Sequence, residues 1–313
     1  MIATDVIVPT WNGRDLLEDC LRALDGQTRP ADRVIVVDNG STDGTPAWLA
    51  EAWPTVEVVQ LAGNHGFAGA AQAGIEHSTA ELVALLNNDA RPRPAWLAAA
   101  EGAFADSEVG ACASVILLPE GTVESAGLRI CVWGVGRRYL EGAPASDLPG
   151  APVEVFGASC GAAVFRRRAL MEAGGFDRSF FAQDEDIDLA YRLRYAGFSC
   201  VLNPGAVVTH LGGQTLRRDP DLSLRLAERN LEWVFWLNTP RWAWPALGLL
   251  HSAYQSASLV RHVVAGRGHL VLEAKRSAVR SLRAKRRERG CPRGFVRRIA
   301  PWLLVAQRPW RTS

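Results

Sequence analysis

The sequence predicts an α/β fold in which a parallel sheet carries helices on both faces, with a helical and basic extension behind it. Three observations predict it. Apolar runs of strand length alternate with helix-patterned segments over roughly the first 90 residues, the signature of a doubly covered parallel sheet. Two of those runs stop abruptly on carboxylates, Asp38 and Asp89, where open parallel sheets bind ligands. The last hundred residues change character and become rich in tryptophan and cations. A chain of 313 residues with 48% apolar content has room for one large domain and an appendage, and is too apolar for wholesale disorder.

Taken in order, 2–9 is a buried strand ending in Val6, Ile7 and Val8, and the loop Trp11-Asn12-Gly13-Arg14-Asp15 leads to a helix over 16–24. A second strand, 33–37, runs into Asp38-Asn39-Gly40-Ser41-Thr42-Asp43-Gly44, which is also good turn chemistry. A helix over 45–53, a strand over 56–61, a Gly-containing loop from Asn64 to Gly69 and a helix over 70–77 follow. The fourth strand, 82–86, stops on Asn87-Asn88-Asp89. Beyond it, 96–104 reads as helix and 110–118 as strand. The stretch 122–152 is irregular and suited to loops and short strands around an acceptor pocket. In 153–165 the small residues Gly157, Ser159 and Gly161 suit either close approach of a ligand or tight strand packing. After a short helix over 168–173, the strands 198–202 and 206–209 deliver His210 into Leu211-Gly212-Gly213.

The chemistry concentrates in 180–197. Asp184, Glu185, Asp186 and Asp188 fall within five residues, where an apolar approach gives way to a helix that Gly197 can stop. One acid there is an ordinary helix start, favoured by the unpaired N–H groups and the helix dipole. Four repel one another and raise one another's pKa, a cost that a cation or a proton-transfer task would use. An imidazole such as His210, joined to carboxylates, suits Mn²⁺ or a similar divalent ion. The six cysteines are scattered with no Cys-x-x-Cys pair, so neither zinc nor a dithiol motif is indicated. A reducing, cytosolic setting is expected, and the N-terminus enters a strand with no secretory leader.

The series VIVPTWNG, VIVVDNGSTDGT, GNHGFAGAAQAGI, LLNNDA, GGFDRSFFAQDEDIDLAYRLRYAG and VVTHLGG, over about residues 3–215, resembles family-2 glycosyltransferases of the GT-A fold, most closely the rhamnosyltransferase-like bacterial branch. The resemblance implies a GT-A (Rossmann-like) nucleotide-sugar-binding domain over 1–215 and a C-terminal helical, polybasic region over 216–313. It implies that Pro9, Thr10 and Asp38 hold the nucleotide base, Asp38 at its imide edge, and that Asn64 and Gly66 belong to the loop beside the nucleotide. Asn87-Asn88-Asp89 matches the family's Asp-x-Asp motif with only the last acid kept. Asp89 and His210 are then the metal ligands, with Asn87 near the ribose and Asn88 beside it. Asp186 matches the catalytic base, its pKa raised by Asp184, Glu185 and Asp188. Gln72 stands where this branch often has Asn, which leaves its role open. A divalent cofactor, Mn²⁺ or Mg²⁺, and a nucleoside-diphosphate sugar donor are implied.

From Glu273 onward thirteen Lys and Arg face only two acids, and 242–260 carries no formal charge. A single span would put the cations opposite a cytosolic catalytic domain, against the positive-inside rule. The residues instead suggest an interfacial helix and a polybasic tail on an anionic inner membrane surface, with Trp242, Trp244, Trp302 and Trp310 at the headgroups. A helical subdomain packed on the catalytic core, with a solvated basic face, uses the same residues. The overall expectation is an inverting transferase acting on a glycan or polyprenyl-linked acceptor in envelope polysaccharide synthesis. A sugar nucleotidyltransferase would need a cation-bearing Gly-rich loop after the first strand, and this loop has only Arg14. A nucleotide-sugar sensor needs no base. Nucleic-acid binding lacks a stacking motif beside the cations.

Overall fold

The computed structural model describes residues 2–211, 219–290 and 292–305. Gly212 and Gly213 of the histidine motif, the start of the C-terminal region expected from 216, Cys291, Arg308, Trp310 and Arg311 lie outside them.

The front of the chain follows the predicted alternation: β1 (Thr4–Thr10), α1 (Arg14–Asp25), β2 (Arg33–Asp38), α2 (Thr45–Ala52), β3 (Glu57–Gln60), α3 (Gly66–His77) and β4 (Leu82–Leu86). Then come β5 (Ala90–Pro92), α4 (Trp96–Glu101), β6 (Val109–Leu117), β7 (Val123–Ser125), the hairpin β8 (Leu128–Ile130) and β9 (Gly136–Arg138), β10 (Val153–Val155), β11 (Ala162–Arg166), α5 (Arg167–Glu172), α6 (Glu185–Ala196) and β12 (Ser199–His210). The main sheet runs β10-β12-β6-β11-β4-β1-β2-β3, with β5 on β12 and β7 on β6.

The four strands β4-β1-β2-β3 pair in parallel, as expected. The whole sheet is mixed, because β11 enters antiparallel between β4 and β6. A parallel β6 needs a crossover connection, whereas a reversed β11 closes the gap beside β4. The two strands expected over 198–202 and 206–209 form one strand, β12, with an irregularity between Leu202 and Val207.

Side-chain alternation on β1 sorts the two cores. Ile7 joins Ile35, Val37, Val83 and Leu85 beneath α3 and α6, and Val6 and Val8 join Val36, Ala84, Leu86 and Leu17 on the opposite face. Both faces are thus covered, which orients the polar strand ends to one edge.

The extension comprises α7 (Pro220–Asn238), α8 (Leu249–Val264), α9 (Gly268–Arg289), α10 (Phe295–Arg298) and α11 (Ala300–Val305). Asp219 caps α7 by accepting from Leu222 N at 2.8 Å, and Pro220 follows at its first position. No described helix is long and apolar enough to cross a membrane.

Candidate active site

The C-terminal ends of β1 and β4, the start of α3, the approach to α6 and the end of β12 surround one cleft of about 510 Å³. Asp89, Asp186 and His210, more than a hundred residues apart at the extremes, all line it. So do Pro9, Thr10, Asn64, Gly66, Asn87, Asn88, Asp184 and Glu185.

On the nucleotide side, Asn88 Nδ2 donates to Thr10 Oγ1 at 2.9 Å, tying β4 to β1. Asn39 holds the next loop: its Nδ2 donates to Asn64 Oδ1 and to Gly66 O, both at 3.1 Å, and its Oδ1 accepts from His65 N at 2.8 Å. Asn39, buried and cleft-lining, was not singled out from the sequence; its place directly after the strand-end Asp38 was the available signal. Asp38 itself lies behind the lining. It is 2% exposed, Oδ2 accepts from Ser41 N at 3.3 Å, and Oδ1 is buried with no hydrogen-bond partner among the described residues.

At the far wall, His210 Nε2 lies 2.9 Å from Asp89 Oδ1. Its Nδ1 lies 2.6 Å from Glu124 Oε2, on β7. Burial works against a charged ring, but the bonds to Asp89 and Glu124 outweigh it and push the pKa up to about 9. Glu124 stays ionised despite burial, held low by His210 and then Arg138. Sequence reasoning missed Glu124, since the irregular stretch around β7 carries no periodicity that marks it. Asn87 Nδ2 stands 3.4 Å from His210 Nε2, beside this pair.

Among the described residues no three His, Cys, Asp or Glu side chains gather as a ready metal cage. Asp89 and His210 fit a divalent ion in another way. They are one carboxylate and one imidazole side by side on the cleft wall, the donor types that suit Mn²⁺ or Mg²⁺, with room for ligand oxygens to complete the set. With a metal bound, Glu124 on Nδ1 would leave Nε2 as the ligand nitrogen.

The acid cluster divides in two. Glu185 is buried, and Asp184 and Asp186 are half-buried in the cleft wall. Burial and then the charge of Asp186 push Asp184 up to about 7 and Glu185 well above the usual carboxylate range. Asp186 is also raised, by burial, against hydrogen bonds from Ile187 N (2.8 Å) and Cys160 N. The tuning expected of Asp188 is absent. Asp188 is fully buried and faces away, bonded to Arg192 Nε (2.9 Å), Asn238 Nδ2 (3.0 Å) and Arg289 Nη1. Those cations overcome burial and hold it low. Two residues along a helix is about 200° of rotation, so Asp186 and Asp188 cannot share a face.

The approach to α6 is strained. Phe181 has φ 67° and ψ −66°, and Ala182 N donates to Phe180 O at 2.8 Å. This is the rare, positive-φ form of the γ-turn. Gln183 and Asp184 follow at φ 70° and 61°. Such left-handed conformations cost side-chain-bearing residues about 1–2 kcal/mol each. Gly66 is glycine by necessity here: its φ is 70°, and a Cβ would lie 2.2 Å from Phe181 O.

Two further expectations resolve. Gln72 is structural: its Oε1 accepts from Phe176 N at 2.7 Å and its Nε2 donates to Glu76, outside the cleft lining. Ser159 and Gly161 line the cleft, whereas Gly157 makes room for Ala190 of α6, 2.3 Å from where its Cβ would stand.

The family model for glycosyl transferase family 2 matches residues 5–174. The chain belongs to glycosyltransferase family 2. Within the family, it is 28% identical over 276 residues to the N-acetylglucosaminyl-diphospho-decaprenol L-rhamnosyltransferase of Mycobacterium tuberculosis, covering 76% of this chain and 87% of that protein. It is 31% identical over 229 residues to the O-antigen biosynthesis protein RfbC of Myxococcus xanthus, 68% of this chain but only 18% of that protein. Among solved structures, the mannosyltransferase PcManGT from Pyrobaculum calidifontis, in complex with GDP-Man and Mn²⁺, superposes with a TM-score of 0.56 at 23% identity, over 92% of this chain and 82% of that one. GalNAc-T7 with UDP, GalNAc and Mn²⁺ gives a TM-score of 0.61 at 14% identity, over 75% of this chain and 48% of that one. These two likenesses identify the family-2 chain's fold as GT-A.

Proposed function

We propose that this glycosyltransferase is an inverting, divalent-metal-dependent enzyme that moves a sugar from a nucleoside-diphosphate donor, dTDP-rhamnose or a UDP-sugar, to a glycan or polyprenyl-linked acceptor of the cell envelope. The observation that carries the reading is the convergence of Asp89, His210 and Asp186 on one cleft that the nucleotide loop also lines.

The donor's base lies against Pro9 and Thr10, with Asp38 buried behind that lining. Asn39 holds the loop of Asn64 and Gly66 beside the nucleoside. Asp89 and His210 would hold the metal, which would offset the negative charge that grows on the leaving diphosphate. Across the cleft Asp186 accepts the proton of the acceptor hydroxyl as that oxygen attacks the anomeric carbon opposite the diphosphate, which inverts the centre. Burial raises Asp184, Glu185 and Asp186 alike, which suits proton transfer by Asp186. Two backbone N–H groups aim its carboxylate.

An anionic membrane is the proposed surface on which a lipid-linked acceptor is met, with the enzyme peripheral on the inner face. Leu249, Ala253, Ala257, Val260 and Val264 form an exposed stripe along α8, and no acidic residue lies between Glu232 and Glu273. Arg276, Arg280, Arg283 and Arg287 form an exposed basic stripe along α9. Not every cation of the tail is available for this: Lys275, Lys285, Arg286, Arg289 and Arg298 bind groups inside the protein. Trp242 is exposed, but Trp244 packs on Trp236 and Trp302 on Phe156 and Arg194, so those two serve the interior instead.

The test is a panel of UDP-, dTDP- and GDP-sugars with Mn²⁺ or Mg²⁺ and a polyprenyl-diphospho-sugar acceptor. Transfer with inversion from a UDP- or dTDP-sugar, lost on chelation and regained with the metal, is the expected result. Metal-independent transfer, or a retained anomeric configuration, would overturn the reading.

A further inference from the structure

We infer that Asn230, on α7 of the C-terminal extension, is a positioning residue for the transfer reaction: it holds the strained loop that presents Asp184, Glu185 and Asp186 to the cleft. The inference rests on the reading of that cleft as the transfer site, and it adds a residue outside the six motifs over 3–215.

The loop from Ser179 to Asp184 contains a positive-φ γ-turn at Phe181 and two left-handed residues, Gln183 and Asp184. Such a run persists only where its surroundings over-determine it. Here the surroundings are side chains of α7. The two hydrogens of Asn230 Nδ2 are shared among three loop carbonyls, Phe180 O at 3.0 Å, Ala182 O at 2.8 Å and Gln183 O at 2.7 Å. Arg229 Nη2 donates to Ser179 O at 3.1 Å and Phe180 O at 2.9 Å. Phe181 O, the one carbonyl of 179–183 that these two leave, accepts from Ala68 N of the nucleotide-side helix α3 at 3.0 Å. Gln183 reaches back to α7, donating to Ser223 O and Oγ at 3.0 and 2.7 Å.

The orientation of the Asn230 amide is set as well. Its Oδ1 accepts from Arg229 Nε at 3.0 Å, which turns the NH₂ toward the loop. Asn230 is fully buried, so water cannot replace it at those carbonyls. No other side chain of similar size has this donor–acceptor pair. Aspartate offers only acceptors to three carbonyls, and leucine offers nothing.

The experiment uses the full chain with Asn230→Asp and Asn230→Ala, and Glu228→Gln as a control one turn-fraction away on α7 that bonds Ser258 and Lys275 instead of the loop. Amide hydrogen exchange followed by mass spectrometry reads the loop directly. Peptides covering 179–188 exchange at least ~10-fold faster in both Asn230 variants, with β1–β4 peptides unchanged and the control like wild type. Affinity for UDP and dTDP stays within about twofold, and turnover, read as nucleotide release, shows kcat down at least ~10-fold with KM for the donor held. Loop exchange equal to wild type overturns the inference. So does exchange that rises equally across the chain, which marks an ordinary stability role. Should Asp186→Asn remain active while Asn230→Asp still frees the loop and lowers kcat, the base assignment falls and the positioning role stands.

Discussion

Asp186 and Glu124 both line the cleft and invite different tests. Asp186→Asn keeps the side-chain shape and removes the proton acceptor. Transfer should fall by ~10²–10⁴-fold while UDP or dTDP binding is retained; kcat against nucleotide Kd checks this. Glu124→Gln leaves His210 without a charged partner on Nδ1, so Mn²⁺ affinity should drop ~10-fold or more, read by titration calorimetry with the metal alone. The polar strand-end residues of the cleft, such as Asn87, Asn88, Asp89 and His210, were legible in the sequence because each follows an apolar run, where such a side chain has no core role. Glu124 and Asn39 were not: they act on neighbours distant in the chain, and only the fold brings those neighbours to them. Asp188 misled because sequence proximity to Asp186 hides a half-turn of helix.

The secondary elements of the first half follow their hydrophobic periods closely, and β1 to β4 fall within a few residues of expectation. What periodicity does not carry is partner choice. The reversal of β11 and the continuity of β12 are decided by sheet closure. Likewise a run of cations reads as a surface until helix packing is known. Arg289 shows the consequence. It joins Asp188 of α6 and Asp177 of the loop before it, across to α9. Arg289→Met should destabilise the protein by about 3 kcal/mol, because Asp188 is left buried with fewer cations; denaturant melts check the value. The α7–α8–α9 contact has its own titration. Glu232 lies against His251 at 3.2 Å and Lys275 at 2.9 Å. Burial opposes its charge, but His251 and Lys275 outweigh it and pull its pKa to about 2. A carboxylate held below its unfolded value, about 4.3, contributes stability above that value and loses it as pH falls toward 2. Between pH 5 and 3 the melting temperature of wild type should therefore fall more than that of Glu232→Gln.

At the scale of the whole molecule, the sheet supplies one edge of polar strand ends and the helical extension supplies an outer apolar stripe on α8. Leu249→Glu with Val260→Glu should abolish flotation with vesicles of phosphatidylglycerol and phosphatidylcholine while leaving transfer to a short, water-soluble acceptor within about twofold; unchanged flotation would remove α8 as the membrane contact. The extension is also joined inward, because α7 supplies the hydrogen bonds that fix the loop before α6. This bears on how such enzymes can be recombined. A chimaera that splices the front of one relative to the back of another near residue 215 separates a loop from the amide shaped to clasp it. Crossovers placed beyond Asn238 keep that lock and key in one parent, and they should give active hybrids far more often.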